Sequence, residues 1–164
     1  MSVLIEIPEE IYKTLQVKAR NSGKTILDII IDIIVNELDP KTRIEVYEKL
    51  FNKYLKEAEE LYSKGDLVQA SEKYWGAICA LLNIIGELKN LPHYKHIHYA
   101  EIIGHVFEET NDKEIPRLFA STERLHANYY HNFLSKREFE IHREDVLKLI
   151  EKLKNYIDYI RGTK

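Results

Sequence analysis

Apolar residues recur three and four positions apart through most of this chain, and the breaks in that rhythm divide it into helices. Asp39-Pro40 reads as an N-cap followed by a first-turn proline. Ile44, Tyr47, Phe51, Tyr54, Ala58 and Leu61 then keep the helical spacing along an element ending near Ser63. Gly65 and Asp66 make a tight turn, with the glycine past one helix and the aspartate capping the next. That next helix runs to about Asn90, carries few charges, and turns Tyr74, Ile78, Leu82 and Ile85 inward, which predicts the central rod of a core. A shorter helix is predicted from His96 to Thr110. Asp112 caps a further one, with Pro116 in its first turns. Residues 135–138 fit a capping box that opens a last helix, with Val146, Leu149, Leu153, Ile157 and Ile160 inward. Long antiparallel helices joined by short turns make an all-α helical bundle over residues 39–164. The hairpin around residues 58–70 is similar to a tetratricopeptide unit, but no second copy follows at that period, so it belongs to a closed bundle.

Residues 1–38 follow another pattern. Val3-Leu4-Ile5-Glu6-Ile7 is a short β-prone run. Pro8 opens a helix with Glu9 and Glu10 in its first turn and Gly23 as its stop, and Thr25 caps a second helix ending near Glu37. This strand–helix–helix arm resembles a ribbon-helix-helix unit, in which two chains pair strands and interlock helices. The second helix, with Ile29, Ile30, Ile33 and Ile34 among its apolar residues, is hydrophobic nearly all round and needs cover from a second subunit or from the main body. Six acids against four bases in residues 1–38, and no Lys, Arg, Asn or Gln in the strand, disfavour DNA reading. A dimerisation arm fits better, with a DNA-binding regulator as the weaker alternative.

Composition narrows the function classes. Within 164 residues, 24 Lys+Arg stand against 27 Asp+Glu for a formal net charge of -3, so no global basic field draws nucleic acid. The one cysteine, Cys79, sits in an apolar run and reads as a small buried hydrophobe. The apolar block at 25–38 is too short and too interrupted to span a bilayer, and the N-terminus lacks the pattern of a signal peptide. The chain reads as a soluble cytoplasmic protein, with a composition that hints at a thermophilic source.

One stretch carries the parts of a reactive site. Arg124, Asn128 and His131 follow an i, i+4, i+7 spacing, so a helix projects a permanent cation, an amide and a titratable imidazole from one face. Such a set can hold a phosphate and move a proton beside it. His126 falls on another side and reads as a hydrogen-bonded core or interface histidine. His93, His96, His98 and His105, with Glu101, form a second cluster. It has no pair of histidines at helical ligand spacing on one face, so no metal and no cofactor are expected. Trp75 reads as a core or interface anchor.

Residues 64–78, with Trp75 at their centre, resemble the signature helix of the archaeal PaREP family. Residues 125–130 and 146–150 are similar to that family as well, and the resemblance covers about residues 40–160. The family lies within the HEPN (higher eukaryotes and prokaryotes nucleotide-binding) superfamily of helical bundles. The resemblance implies a metal-independent ribonuclease motif, an Arg and a His separated by four to six residues late in the bundle, with two motifs meeting across a homodimer. Arg124 and His131 match that spacing. Leu125 stands where the family pattern has a polar residue, and Asn128, one turn on, is the candidate substitute. In that reading His131 is the general acid or base at a ribose 2′-hydroxyl and Arg124 neutralises developing charge. Tyr129 and Tyr130 offer stacking faces for the bases of single-stranded RNA, His98 lines the same groove as the motif helix, and His126 is a further candidate binding residue. The expectation is an RNA- or nucleotide-directed module that self-associates as a homodimer or higher oligomer. Its alternative is a catalytically silent oligomerising or adaptor bundle.

Overall fold

Local capping devices set most of the helix boundaries. The computed structural model describes residues 4–22 and 24–162. Among these lie α1 (Glu9–Ser22), α2 (Ile26–Ile34), α3 (Pro40–Ser63), α4 (Leu67–Lys89), α5 (His96–Thr110), α6 (Glu114–His131) and α7 (Lys136–Gly162), with a single 3₁₀ turn at Val35–Glu37. Thr25 caps α2 through a capping box with Asp28, whose carboxylate accepts from the Thr25 N–H at 3.0 Å. Asp66 caps α4 by accepting from the Gln69 N–H at 3.1 Å. Gly65 takes the left-handed conformation (φ 78°) that the Ser63–Leu67 connection requires. Asp112 accepts from the Glu114 N–H at 3.0 Å, and the Ser135–Glu138 capping box starts α7. Three asparagines, Asn90, Asn111 and Asn132, close α4, α5 and α6 in the left-handed region.

The chain divides into two compact units, Met1–Asp39 and Pro40–Lys164. In the first, α1 packs against α2 and Lys24 Nζ lies 2.8 Å from Asp32 Oδ2. The expected strand is a correction. None of the described residues is in a β-strand, and residues 4–8 have no regular structure. A lone β-prone run has no ladder to join, because strand propensity acts only through a partner's hydrogen bonds and packing. Val3, which opens that run, and Gly23, the expected helix stop, lie outside the described residues. Leu4 (93 % exposed), Ile5 (77 %) and Val17 (60 %) leave this unit with uncovered apolar surface.

In the second unit α4 is the axis, packed by α3, α5, α6 and α7. From Ala70 to Gly86 all but Lys73 of its residues are buried, which is what the charge-poor sequence of the rod predicts. Two glycines permit close approach. A Cβ on Gly76 would meet the Tyr54 ring of α3 at 2.9 Å, and one on Gly86 would meet His93 Nδ1 at 2.5 Å. A polar tie joins three helices near one end: Tyr74 donates to Glu59, and Arg143 donates to both the Tyr74 hydroxyl (2.6 Å) and Glu59. Burial, and then the hydrogen bond to Glu59, hold the Tyr74 phenol well above its ordinary pKa. No helix among the described residues is long and apolar enough to cross a membrane.

Two carboxylates staple the α5–α6 turn region to its neighbours. Lys152 donates to Asp112 at 2.8 Å, and Lys89 and Tyr156 donate to Glu109 at 2.6 and 2.7 Å. These hydrogen bonds, Lys152 first at Asp112 and Lys89 first at Glu109, hold both groups below their ordinary pKa. A folded-state pKa below the unfolded one contributes stability that is complete above the ordinary carboxylate range and lost as pH falls through the lowered value. Melting temperature is therefore expected to decline as pH falls below about 5. The double variant Asp112→Asn, Glu109→Gln should start lower at neutral pH and show a flatter decline. Parallel melting curves of the two proteins across that range would contradict the assignment.

Candidate functional site

Helix α6 carries polar residues on two opposite flanks, and each flank builds a different cluster. The first lies at the hairpin where α6 turns into α7. Arg124 is exposed and its guanidinium Cζ sits 4.2 Å from the centroid of the Phe133 ring. It forms no ion pair among the described residues, since the neighbouring Glu123 instead meets His96 Nε2 at 2.9 Å. His131 is exposed and its ring centroid lies 6.5 Å from that of Phe133. A free cation and an imidazole thus share one aromatic neighbour, itself 39 % exposed.

Asn128 does not join them at the surface. It is 1 % exposed, its carboxamide oxygen accepts from the N–H groups of Phe133 and Leu134 at 2.9 Å each, and its nitrogen donates to Ser71 Oγ at 3.0 Å. The face shared by i, i+4 and i+7 is crossed by the packing boundary with α4, and Asn128 falls on the buried side of it. Its amide holds the α6–α7 turn, so it positions Phe133 rather than meeting a substrate.

Behind Arg124, one turn back along α6, Ser121 reaches α7. Its hydroxyl donates to Asp145 Oδ2 at 2.6 Å, and His142 Nδ1 lies 3.1 Å from Ser121 Oγ. His142 is half-buried, and burial first, then the Arg124 charge, push its pKa down against the opposing pull of Asp145 and Glu138. Sequence spacing alone did not single out Ser121, Phe133, His142 or Asp145. The available signal was the paired i, i+3 spacings of Ser121 with Arg124 and of His142 with Asp145 on two helices joined by a short turn.

The second cluster faces α4 and α5. The His126 ring stacks on Trp75 with centroids 4.4 Å apart and an interplanar angle of 18°, and its Nδ1 lies 3.2 Å from Glu72 Oε2. His96 approaches Trp75 at 5.0 Å, and Tyr130 presents its ring edge to His126 at 5.2 Å. Trp75, His126 and Glu72 are each under 10 % exposed, whereas Tyr130 is 43 % exposed. Tyr129 is half-buried beside Tyr130, and burial, then the charge of Glu72, raise its phenol pKa. His126, Tyr129 and Tyr130 thus lie on the flank of α6 away from Arg124, so the expected stacking platform does not adjoin the expected cation. The aromatic ring that does adjoin it is Phe133.

The four loop and α5 histidines disperse. His98 Nδ1 accepts from the Tyr94 and Lys95 N–H groups at 3.0 and 3.2 Å, so it caps α5 rather than lining a groove with the motif helix. His93 is buried with Nε2 3.1 Å from Glu87 Oε1, and His105 lies 2.9 Å from Glu109. Among the described residues no three His, Cys, Asp or Glu side chains are grouped to hold a metal ion.

In comparison with known proteins, the archaeal PaREP1/PaREP8 family matches residues 46–150. Those residues take in α4, α5, α6 and both clusters. Neither a curated protein nor a solved structure matches the chain.

Proposed function

The chain belongs to the archaeal PaREP1/PaREP8 family, and from that premise, with the geometry of the α6–α7 hairpin, we propose that it is an RNA-directed module of HEPN type that cleaves single-stranded RNA without a metal. Arg124 and His131 are the reactive pair. The observation that carries the reading is the unpaired, exposed Arg124 guanidinium sharing Phe133 with the exposed His131 imidazole. An arginine with no carboxylate partner can receive a phosphate bidentately, and an imidazole beside it can exchange a proton with a ribose or leaving-group oxygen. Phe133 supplies a face on which a base can stack next to that phosphate.

In this reading two copies of the hairpin face each other in a homodimer, so that paired motifs enclose one RNA strand. The uncovered apolar residues Leu4, Ile5 and Val17 of the first unit support self-association. A silent oligomerising bundle is the competing reading, and the same experiment separates the two.

Wild-type protein in EDTA is expected to cut single-stranded RNA and to spare the DNA of the same sequence, which lacks the attacking hydroxyl. Arg124→Ala and His131→Ala should each lower the rate by about 10²–10³-fold. Both side chains are exposed, so circular dichroism and melting should be unchanged. RNA left intact by the wild type would leave only the silent bundle, and RNA cut by both variants as fast as by the wild type would remove Arg124 and His131 from the reaction.

A further inference from the structure

The Asp145–Ser121–His142 chain has an order that fixes a tautomer. An ionised carboxylate only accepts hydrogen bonds, so at 2.6 Å the Ser121 hydroxyl proton belongs to Asp145. Ser121 Oγ then has only lone pairs to offer His142 Nδ1, 3.1 Å away, and Nδ1 must be the donor. The basic lone pair of His142 is therefore on Nε2, the nitrogen turned away from this chain. Asp145 stabilises the imidazolium that forms when Nε2 takes a proton, through Ser121, much as a carboxylate bonded directly to an imidazole would.

We propose that His142 is the general base of this site, its Nε2 receiving the proton of the RNA 2′-hydroxyl while Arg124 holds the adjoining phosphate. This rests on the reading of Arg124 and His131 given above and assigns the half of the proton traffic that His131 alone leaves open. As the O2′–P bond forms and the P–O5′ bond breaks, the O2′ proton goes to His142 Nε2. The imidazolium of His131 gives its own proton to O5′. The products are a 2′,3′-cyclic phosphate and a 5′-hydroxyl, and no redox partner is needed.

The groups facing His142 are Asp145 and Glu138 on its own helix and Ser121 and Arg124 on α6. Burial and Arg124 outweigh the two carboxylates, so the ring stays neutral, and able to accept a proton, to lower pH than an ordinary imidazole. A base must be deprotonated to work. The acid limb of the cleavage rate should accordingly fall below the ordinary imidazole pKa.

The test measures RNA cleavage against pH for the wild type, His131→Ala, His142→Ala and His142→Asn, together with the ¹⁵N-detected tautomer of His142 in the wild type. Expected results are a loss of about 10²-fold or more in both His142 variants, disappearance of the acid limb, partial recovery of His142→Ala by added imidazole, and an Nδ1–H tautomer. Asparagine places an amide donor where Nδ1 meets Ser121, so it separates proton transfer from support of the fold. Cleavage that fails in His131→Ala but persists unchanged in both His142 variants would overturn the assignment of the base and leave the ribonuclease reading standing. A wild type that cuts no RNA would overturn both. An Nε2–H tautomer would overturn the base on its own, whatever the rates.

Discussion

Trp75→Ala is expected to cost the bundle about 3–5 kcal/mol, the range for emptying a large buried aromatic site. The ring is 2 % exposed and meets four others: His126 stacked at 4.4 Å, His96 at 5.0 Å, and Tyr99 and Phe119 at 6.0 and 6.2 Å. Those partners come from α5 and α6, so one side chain on the central helix anchors two others. Helix α5 depends on it most, because α4 and α6 supply most of its remaining packing. Loss of the ring also lets water reach the buried Glu72–His126 pair, which weakens a contact whose strength depends on a dry setting. The melting temperature should fall by roughly 10–20 °C, and amide exchange in α5 should quicken before that in α4. Trp75→Phe keeps a stacking face for His126 and should recover most of the loss. A Trp75→Ala protein within about 1 kcal/mol of wild type would mean that the neighbouring rings close over the gap.

This cluster also marks how far the sequence could be read. Capping residues were legible because their effect is local: Thr25, Asp66 and Ser135 each bond a backbone N–H three residues on, and Asp112 one two residues on. The burial of α4 followed from its lack of charge, and Trp75 was legible as an anchor from its size. The partition of α6 was not. Helical periodicity tells which residues share a flank, but not where a neighbouring helix cuts across it. Arg124 and His131 emerge on the side of Phe133 and α7, while Asn128, nominally on the same stripe, lies under the contact with Ser71 of α4. The Ser121–Asp145–His142 chain was invisible for a related reason. Ser121 stands 21 and 24 residues from His142 and Asp145 and meets them only because a short turn folds α7 back along α6. His98, expected in the groove of the motif helix, is held instead by the Tyr94 and Lys95 N–H groups, a local bond that residue spacing does not reveal. The β-prone run near the N-terminus failed differently: its composition is that of a strand, but a single chain gives it nothing to pair with.

Asn128 is where stability and the proposed chemistry meet, and its variants should separate them. Asn128→Ala removes the acceptor of two backbone N–H groups and the donor to Ser71 Oγ, all from a residue 1 % exposed. Leaving such groups without partners costs about 2–4 kcal/mol in total. The N–H groups set free belong to Phe133 and Leu134, in the turn that holds the ring against which Arg124 rests. Cleavage by Asn128→Ala should therefore fall even at temperatures where the bundle is fully folded, through a weaker KM for RNA rather than through a shifted pH profile. Asn128→Asp offers a sharper comparison. A carboxylate accepts from both turn N–H groups as well as the amide does, but it cannot donate to Ser71, whose own proton now goes to Leu67 O at 2.8 Å. The aspartate protein should thus keep the turn and most of the activity, while losing part of the stability at the α4 contact. Were Asn128 instead to touch the RNA, a new negative charge beside the phosphate would make Asp the worse of the two substitutions. The order of the two rates, Asp above Ala for a residue that positions the turn and Ala above Asp for one that contacts substrate, decides which role this amide has.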